Sequence, residues 1–299
     1  DPCKLMPDAR ALASNEIRLR QPDELGPTLD DLGKARKTVR LDPDAAPAWA
    51  ANRLKDAAAT IRRGEDPCQL AKAKKNSVQI DGMRNAHLRD GAAVTRLLAW
   101  LDAQKLGPSL TEIRVADQLE SFRRENDYFQ GLSFTTISGS GPNGAIVHYR
   151  VTPETDRILC DGELFLVDSG AQYLDGTTDI TRTIAIGTPT SEMRQRWTLV
   201  LKGHIALAEA RFPPGTNGSQ LDVLARQALW TEGLDYDHGT GHGVGSFLSV
   251  HEGPHRITKT ANRIGLEPGM VVSNEPGFYK TDAYGIRIEN LVAVIKLPL

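Results

Sequence analysis

The sequence contains few cysteines and no long hydrophobic run. Its three cysteines are widely separated and lack the paired spacing of a disulfide framework or a zinc site. We therefore expect free thiols and a cytoplasmic protein. Apolar runs such as "LVAVI" are far shorter than a membrane span, and "DPCKLMPDAR" does not resemble a signal peptide. These absences predict a soluble protein with no membrane partner.

An excess of positive charge is also lacking. The chain has 36 Lys and Arg residues against 38 Asp and Glu residues, which gives a formal net charge of -2. A basic surface large enough to hold nucleic acid is therefore not expected. With 40% hydrophobic and 25% charged residues, the composition is that of an ordinary globular protein with a buried core.

The first 67 residues differ in composition from the rest. They are rich in Asp, Pro, Arg and Ala and have too little apolar material for a core of their own. Because the chain begins with Asp, we expect an N-terminal part to be missing, and we interpret residues 1–67 as the last piece of a preceding domain. One helix is predicted over residues 47–64, with an apolar stripe formed by Trp49, Leu54, Ala57, Ala58 and Ile61.

From residue 68 onward the hydrophobic pattern alternates between helix and strand. It predicts long helices over residues 69–104, a helix opened by Ser109 with Glu112 as a capping box, and further helices over 189–211 and 218–232. Short strand-like segments, including "AIVHYR", separate these helices. This order predicts an α+β domain of two similar halves.

Four acidic residues fall on segments that read as buried strands. Asp168 ends "ELFLVDSG", and the chain returns through "TTDITRT" with Asp179; Glu275 and Glu289 follow in "MVVSNEPG" and "GIRIEN". Uncompensated burial of one carboxylate costs several kcal/mol, so a cluster of four requires cations, and two divalent ions would balance the charge. His242, in a glycine-rich segment, supplies a nitrogen ligand. Taken separately, exposed aspartates at the hairpin and an Arg287–Glu289 ion pair stay open as alternatives.

These segments resemble the signatures of a known enzyme family. The stretches "VDSGAQYLDGTTDITRT", "HGTGHGVGSFLSVHEGP", "SNEPGFY" and "GIRIEN" are similar to those of aminopeptidase P, the Xaa-Pro aminopeptidases, in particular the three-domain kind. The resemblance implies a pita-bread fold, with two pseudo-symmetric α/β halves around a mostly antiparallel sheet. It implies a catalytic domain over residues 68–299, and residues 1–67 would be the remnant of a creatinase-like α/β domain.

The resemblance also implies roles for individual residues. Asp168 would bind one metal ion through two oxygens, Asp179 and Glu289 would bridge two ions, and His242 with Glu275 would bind the other. Manganese is the expected metal, with zinc and cobalt as alternatives. A hydroxide bridging the ions would attack the scissile carbonyl, and Glu275 would accept its proton.

Substrate-side roles follow from the same resemblance. His251 would stabilise the oxyanion, His148 would lie near the proline nitrogen, His238 would shape the proline pocket, and Arg287 would keep Glu289 ionised. The expected substrates are peptides with proline at the second position, and the expected assembly is a homodimer. A prolidase-type dipeptidase, methionine removal and a non-catalytic peptide-binding module stay open as alternatives. We interpret His87, His204 and His255 as structural.

Overall fold

A computed structural model describes residues 19–297, so Cys3 lies outside the described residues. The chain divides into two units between Gln69 and Leu70. In the first unit, helices α1 (Leu25–Lys34) and α2 (Ala48–Asp56) accompany strands β1 (Thr38–Leu41) and β2 (Thr60–Arg63), which pair in parallel.

The helix predicted over residues 47–64 is wrong in its second half. The helix ends at Asp56, and Ala58 adopts a left-handed φ of 64° that stops it. Ile61 lies on β2 and pairs with Val39 of β1. The alanine-rich composition concealed this change from helix to strand, because alanine has a high helix propensity.

Five helices follow in chain order: α3 (Pro67–Ala73), α4 (Ser77–Asp102), α5 (Glu112–Arg124), α6 (Ser191–Ala208) and α7 (Gly218–Trp230). Asparagine capping boxes open α4 and α7, where Asn76 and Asn217 each accept the N–H of a glutamine three residues later. The helices predicted over residues 69–104, 189–211 and 218–232 are confirmed. None of the described helices is both long and apolar enough to cross a membrane.

The predicted capping box at Ser109 is wrong. Thr111 caps α5, and its hydroxyl accepts the N–H of Arg114. Glu112 is consequently the first helical residue, too early to bond back to the cap. Its buried carboxylate accepts the backbone N–H of Ser140 instead, at 2.6 Å.

As far as residue 297, the second unit contains twelve short strands, and their pairings are all antiparallel. They are β3 (Phe129–Leu132), β4 (Ile137–Ser140), β5 (Leu164–Ser169), β6 (Ala171–Tyr173), β7 (Gly176–Thr177), β8 (Ile180–Ala185), β9 (Gly241–His242), β10 (Arg256–Ile257), β11 (Val271–Asn274), β12 (Gly277–Lys280), β13 (Tyr284–Arg287) and β14 (Asn290–Ala293). Every residue of β5 is buried, and this strand lies between β4 and β8. Isolated bridges extend the pairing from Thr181 to Glu289 and from Gly243 to Val272.

Two groups of apolar side chains fix these strands from opposite halves of the unit. Val94, Leu97 and Leu101 of α4 pack in one cluster with Val167 of β5. Another cluster joins Leu199 and Leu229, from α6 and α7, to Ile286 and Ile288. Burial of one such side chain contributes about 1.5–3 kcal/mol. The two clusters therefore join the helices to the strands of the unit.

Candidate metal centre

The four acids meet where the strands of the two halves adjoin. Asp168 is paired with Thr181 across β5 and β8, and Thr181 in turn bridges Glu289. Asp179 directly precedes β8, and Glu275 directly follows β11. The relative exposures of Asp168, Asp179 and Glu289 are 7%, 4% and 1%, so three of the four carboxylates are buried. This excludes the alternative of exposed hairpin aspartates.

His242 faces the acids with one ring nitrogen. Its Nε2 atom lies 3.5 Å from Asp179 Oδ2 and 3.4 Å from Glu275 Oε1. Its Nδ1 atom lies 3.0 Å from the carbonyl oxygen of Gly243, which can only accept, so Nδ1 carries the proton. In the neutral tautomer, Nε2 is then the nitrogen with the free lone pair, and it is oriented as a metal ligand. Ligand atoms of Asp179, His242 and Glu289 all lie within 4.8 Å of one another.

Close backbone contacts explain the glycines around His242. A Cβ atom at Gly241 would lie 2.0 Å from the carbonyl oxygen of Ser273, and one at Gly243 would lie 1.9 Å from that of Glu252. Any larger residue would force these chain segments apart. The glycines therefore allow His242 to stand between β11 and the segment that carries His251.

The electrostatics of the cluster are those of a cation site. Burial, followed by the nearby charges of Asp168 and Glu275, raises the pKa of Asp179 well above its ordinary value. Burial and Asp179 raise the pKa of Glu289 in the same way. Burial also raises the pKa of Glu275, with His242 and Arg287 opposing it. Metal ions would remove this mutual repulsion.

Two buried oxygen atoms support the same assignment. Asp168 Oδ1 and Glu289 Oε1 have no hydrogen-bond donor in the described part of the chain. Buried carboxylate oxygens are ordinarily paired, and oxygen atoms with a neighbouring imidazole are suitable ligands for manganese, cobalt or zinc. The residues present therefore fit two divalent ions.

Hydroxyl groups orient the carboxylates of two of the acids. Thr181 Oγ1 donates to Glu289 Oε2 at 2.6 Å, and Ser273 Oγ donates to Glu275 Oε1 at 2.9 Å. Ser273 was not predicted from the sequence. Its signal was its position two residues before Glu275, on the same face of a strand.

Arg287 has a different partner from the predicted one. Its Nη2 atom donates to Asp168 Oδ2 at 2.7 Å, whereas no contact with the Glu289 carboxylate is recorded among the described residues. Glu289 lies beyond the end of β13 and faces Thr181, while the long guanidinium group reaches β5. Its Nη1 atom donates to the Tyr279 hydroxyl at 2.6 Å, a contact that the sequence did not suggest.

The three substrate-side histidines surround the cluster at different depths. The ring of His251, a solvent-exposed residue, lies 4.3 Å from the ring of His242. His238 stands between Tyr236 and Tyr279, and its Nε2 atom lies 2.8 Å from the Tyr279 hydroxyl oxygen. Burial lowers the pKa of His238 to about 4.

The predicted strand around His148 is wrong. A 3-10 helix covers Gly141–Ala145 and includes Pro142, and His148 follows in an exposed turn. The preceding carbonyl oxygen, of Val147, accepts a hydrogen bond from Arg287 Nη2 at 3.4 Å. The turn therefore lies beside the acids.

The other three histidines are structural, as predicted. His204 Nδ1 contacts the Asn274 carbonyl oxygen at 3.1 Å, and His255 Nε2 contacts that of Val271 at 2.8 Å. His87 Nδ1 contacts the carbonyl oxygen of Met83, one turn earlier in α4. All three have a pKa lowered by burial, so they are neutral packing residues.

Comparisons with known proteins agree with this geometry. The sequence profile of metallopeptidase family M24 matches residues 81–296. A probable Xaa-Pro aminopeptidase P of Tuber melanosporum is 46% identical over 286 residues, which cover 95% of this chain and 45% of that protein. Aminopeptidase P1 of Arabidopsis thaliana is 49% identical over 251 residues, which cover 76% of this chain and 39% of that protein. The chain thus spans less than half the length of these relatives.

Solved structures give the same result. The X-prolyl aminopeptidase of Caenorhabditis elegans, described as a cytosolic enzyme with a di-nuclear active site, superposes with a TM-score of 0.88 at 40% identity; the match covers 98% of this chain and 48% of that one. Prolidase from Pyrococcus furiosus superposes with a TM-score of 0.78 at 27% identity and covers 94% of this chain and 78% of that one. The predicted α+β, pita-bread fold class is confirmed.

Proposed function

The chain belongs to metallopeptidase family M24, and from that premise we propose that it is an Xaa-Pro aminopeptidase. It hydrolyses the bond between the first residue of a peptide and a proline at the second position. The observation that carries this proposal is the crowding of four carboxylates, three of them beside His242, with buried oxygens that lack donors. Similarity to Xaa-Pro aminopeptidases supports the choice of substrate.

Two divalent ions, with manganese as the expected metal and zinc or cobalt as alternatives, would be held by the five residues that surround the cluster. These residues would be Asp168, Asp179, His242, Glu275 and Glu289. The chemistry that such ions supply is activation of water and polarisation of a carbonyl group. Glu275 would accept the proton that such a water releases.

His238 contributes the face of its ring. Its Nδ1 atom is bonded to the Gly239 carbonyl oxygen at 2.8 Å and its Nε2 atom to Tyr279, so neither nitrogen is free for a substrate. With a pKa of about 4 the ring is neutral at pH 7 and forms an apolar wall suited to proline. His251 and His148, both exposed beside the acids, remain available to the carbonyl oxygen and the proline nitrogen.

Arg287 sets the position of Asp168. Its guanidinium group binds Asp168 Oδ2 and leaves Oδ1 directed away from any donor. This contact fixes the orientation of the Asp168 carboxylate, so that Oδ1 is left for a metal. We assign Arg287 this role in place of the predicted one towards Glu289.

The wider organisation follows the same proposal. Residues 68–299 carry catalysis, and residues 1–67 are the remainder of a preceding creatinase-like domain. We propose a cytoplasmic homodimer; the description of the Caenorhabditis elegans enzyme as cytosolic supports the location. Size-exclusion chromatography with light scattering tests the assembly.

Peptide cleavage by metal-stripped protein tests the activity. The protein is supplied with manganese, zinc or cobalt and then given Ala-Pro-Ala, Ala-Pro or Ala-Ala-Ala. Release of alanine from Ala-Pro-Ala alone is the expected result, and Asp179→Asn, which keeps the side-chain shape, is expected to abolish it. Cleavage of Ala-Pro alone would indicate a prolidase. Cleavage of Ala-Ala-Ala would contradict proline specificity, and inactivity with every metal would contradict the proposal.

A further inference from the structure

Asp90 and Arg123 form an ion pair that plays no part in the proposed reaction, although both side chains have 0% exposure. We infer that this pair positions two of the proposed metal ligands, by fixing the residues next to Asp168 and Asp179. The inference rests on the proposed function, because it concerns the spacing of ligands at that metal centre.

The pair joins two helices through a two-point contact. Asp90 lies on α4 and Arg123 on α5. Arg123 Nε donates to Asp90 Oδ1 at 2.7 Å, and Nη2 donates to Oδ2 at 3.0 Å. A forked contact of this kind fixes the orientation of both groups as well as their separation. The Asp90–Arg123 pair is therefore a rigid platform for the residues that it contacts.

This platform contacts the hairpin between Asp168 and Asp179. Arg123 Nη2 donates to Ser169 Oγ at 3.0 Å, and Thr178 Oγ1 donates to Asp90 Oδ2 at 2.8 Å. Ser169 directly follows Asp168, and Thr178 directly precedes Asp179. One platform thus holds the neighbour of each ligand.

The hairpin is too tightly braced to move independently of this platform. Thr178 N donates to the Ala171 carbonyl oxygen at 2.9 Å, and Ala171 N donates to Thr178 Oγ1 at 2.9 Å. A Cβ atom at Gly170 would lie 2.0 Å from the Thr178 carbonyl oxygen, so the two chain segments are at their closest approach. A displacement of Thr178 is consequently passed on to Asp179.

Stability alone does not account for the pair. A buried ion pair is often no more stabilising than apolar side chains of the same volume. Here every further hydrogen bond recorded for the two side chains goes to residues 169–178, including those from the Tyr173 hydroxyl and to the Gly170 carbonyl oxygen. A contact needed only to join two helices would not require this pattern. These hydrogen bonds indicate that the ion pair fixes the position of residues 169–178.

Thr178 offers a test that separates position from packing. Thr178→Val removes the hydroxyl and keeps the branched shape, whereas Thr178→Ser keeps the hydroxyl. Glu125→Gln is the matched control, because Arg96 and Glu125 form an exposed ion pair between α4 and the residue that follows α5. Leu101→Ala, in the core face of α4, controls for a general loss of stability. The measurements are manganese titration of metal-stripped protein by calorimetry, and thermal unfolding.

Thr178→Val is expected to weaken manganese binding by about 10-fold to 100-fold. Thr178→Ser and Glu125→Gln should bind as wild type does, and Leu101→Ala should lower the Tm without weakening binding. Wild-type affinity in Thr178→Val, equal loss in Thr178→Ser, or equal loss in Leu101→Ala would overturn the inference while leaving the proposed function intact. Absence of binding of manganese, zinc and cobalt alike by the wild-type protein would overturn both.

Discussion

Replacement of Arg226 by methionine is expected to destabilise the protein by about 3–5 kcal/mol, the usual effect of removing one partner of a buried ion pair. Arg226, on α7, is fully buried and donates to both oxygens of Asp222, one turn earlier on the helix. It also donates to the carbonyl oxygens of Tyr236 and His238. Without it, Thr240 Oγ1 is the one remaining donor recorded for Asp222 within residues 19–297.

The assay is thermal and urea unfolding of the metal-free protein. A loss of this size lowers the Tm by roughly 10 °C for a domain of this length. Arg84→Met is the matched control, because Arg84 and Asp81 form an ion pair on α4 with both side chains 65% exposed. Exposed pairs within a helix contribute at most about 0.5 kcal/mol.

A double variant sharpens the test. Asp222→Leu combined with Arg226→Met removes both charges, so part of the lost stability should return. A loss below about 1 kcal/mol in the single variant, the size of one ordinary hydrogen bond, would refute the argument. So would a double variant that is as unstable as the sum of both single variants.

Three further predictions concern the site. Burial raises the pKa of Asp179 and Glu289, so the folded metal-free protein binds more protons than the unfolded chain, and this cluster destabilises the fold increasingly as the pH rises above about 4. Manganese should therefore raise the Tm more at pH 8 than at pH 5. An equal increase at both pH values would contradict the charge argument. Gly243→Ala should abolish manganese binding measured by calorimetry, because its Cβ atom would collide with the Glu252 carbonyl oxygen. Tyr279→Phe removes the hydroxyl between Arg287 and His238 and should lower kcat/KM for Ala-Pro-Ala by about 10-fold, or about 1.4 kcal/mol; unchanged kinetics would show that this link is not needed.

The acids of the site could be predicted because their signal is local. Asp168 ends a continuous apolar run, and Glu275 follows another. Burial of each strand places its acid in the protein interior, and this can be predicted without knowing which residues surround it. The glycines around His242 likewise pointed to close backbone contacts that the structure contains. The main helices were predictable for the same reason, since periodicity and capping residues lie within one segment.

The errors arose where a distant partner decides the structure. The spacing of Glu112 fits a capping box, yet its carboxylate accepts a hydrogen bond from the backbone N–H of Ser140, 28 residues further along the chain. The chain around His148 has strand-like residues, but Gly141 adopts a left-handed φ of 53° at the start of a 3-10 helix, and His148 lies in the turn that follows it. Arg287 was assigned to Glu289, two residues away, whereas its partner is Asp168 on another strand.

Buried charges outside the ligand set follow a common logic that single positions in the sequence do not reveal. Asp90 with Arg123 holds the hairpin between two ligands, and Asp222 with Arg226 holds the segment that carries His238. Lys75 donates to Glu252, the residue after His251, at 2.6 Å. Each pair therefore holds a different chain segment that borders the metal centre. Because desolvation offsets most of what such pairs contribute to stability, their placement is better explained by the precision that a metal centre requires.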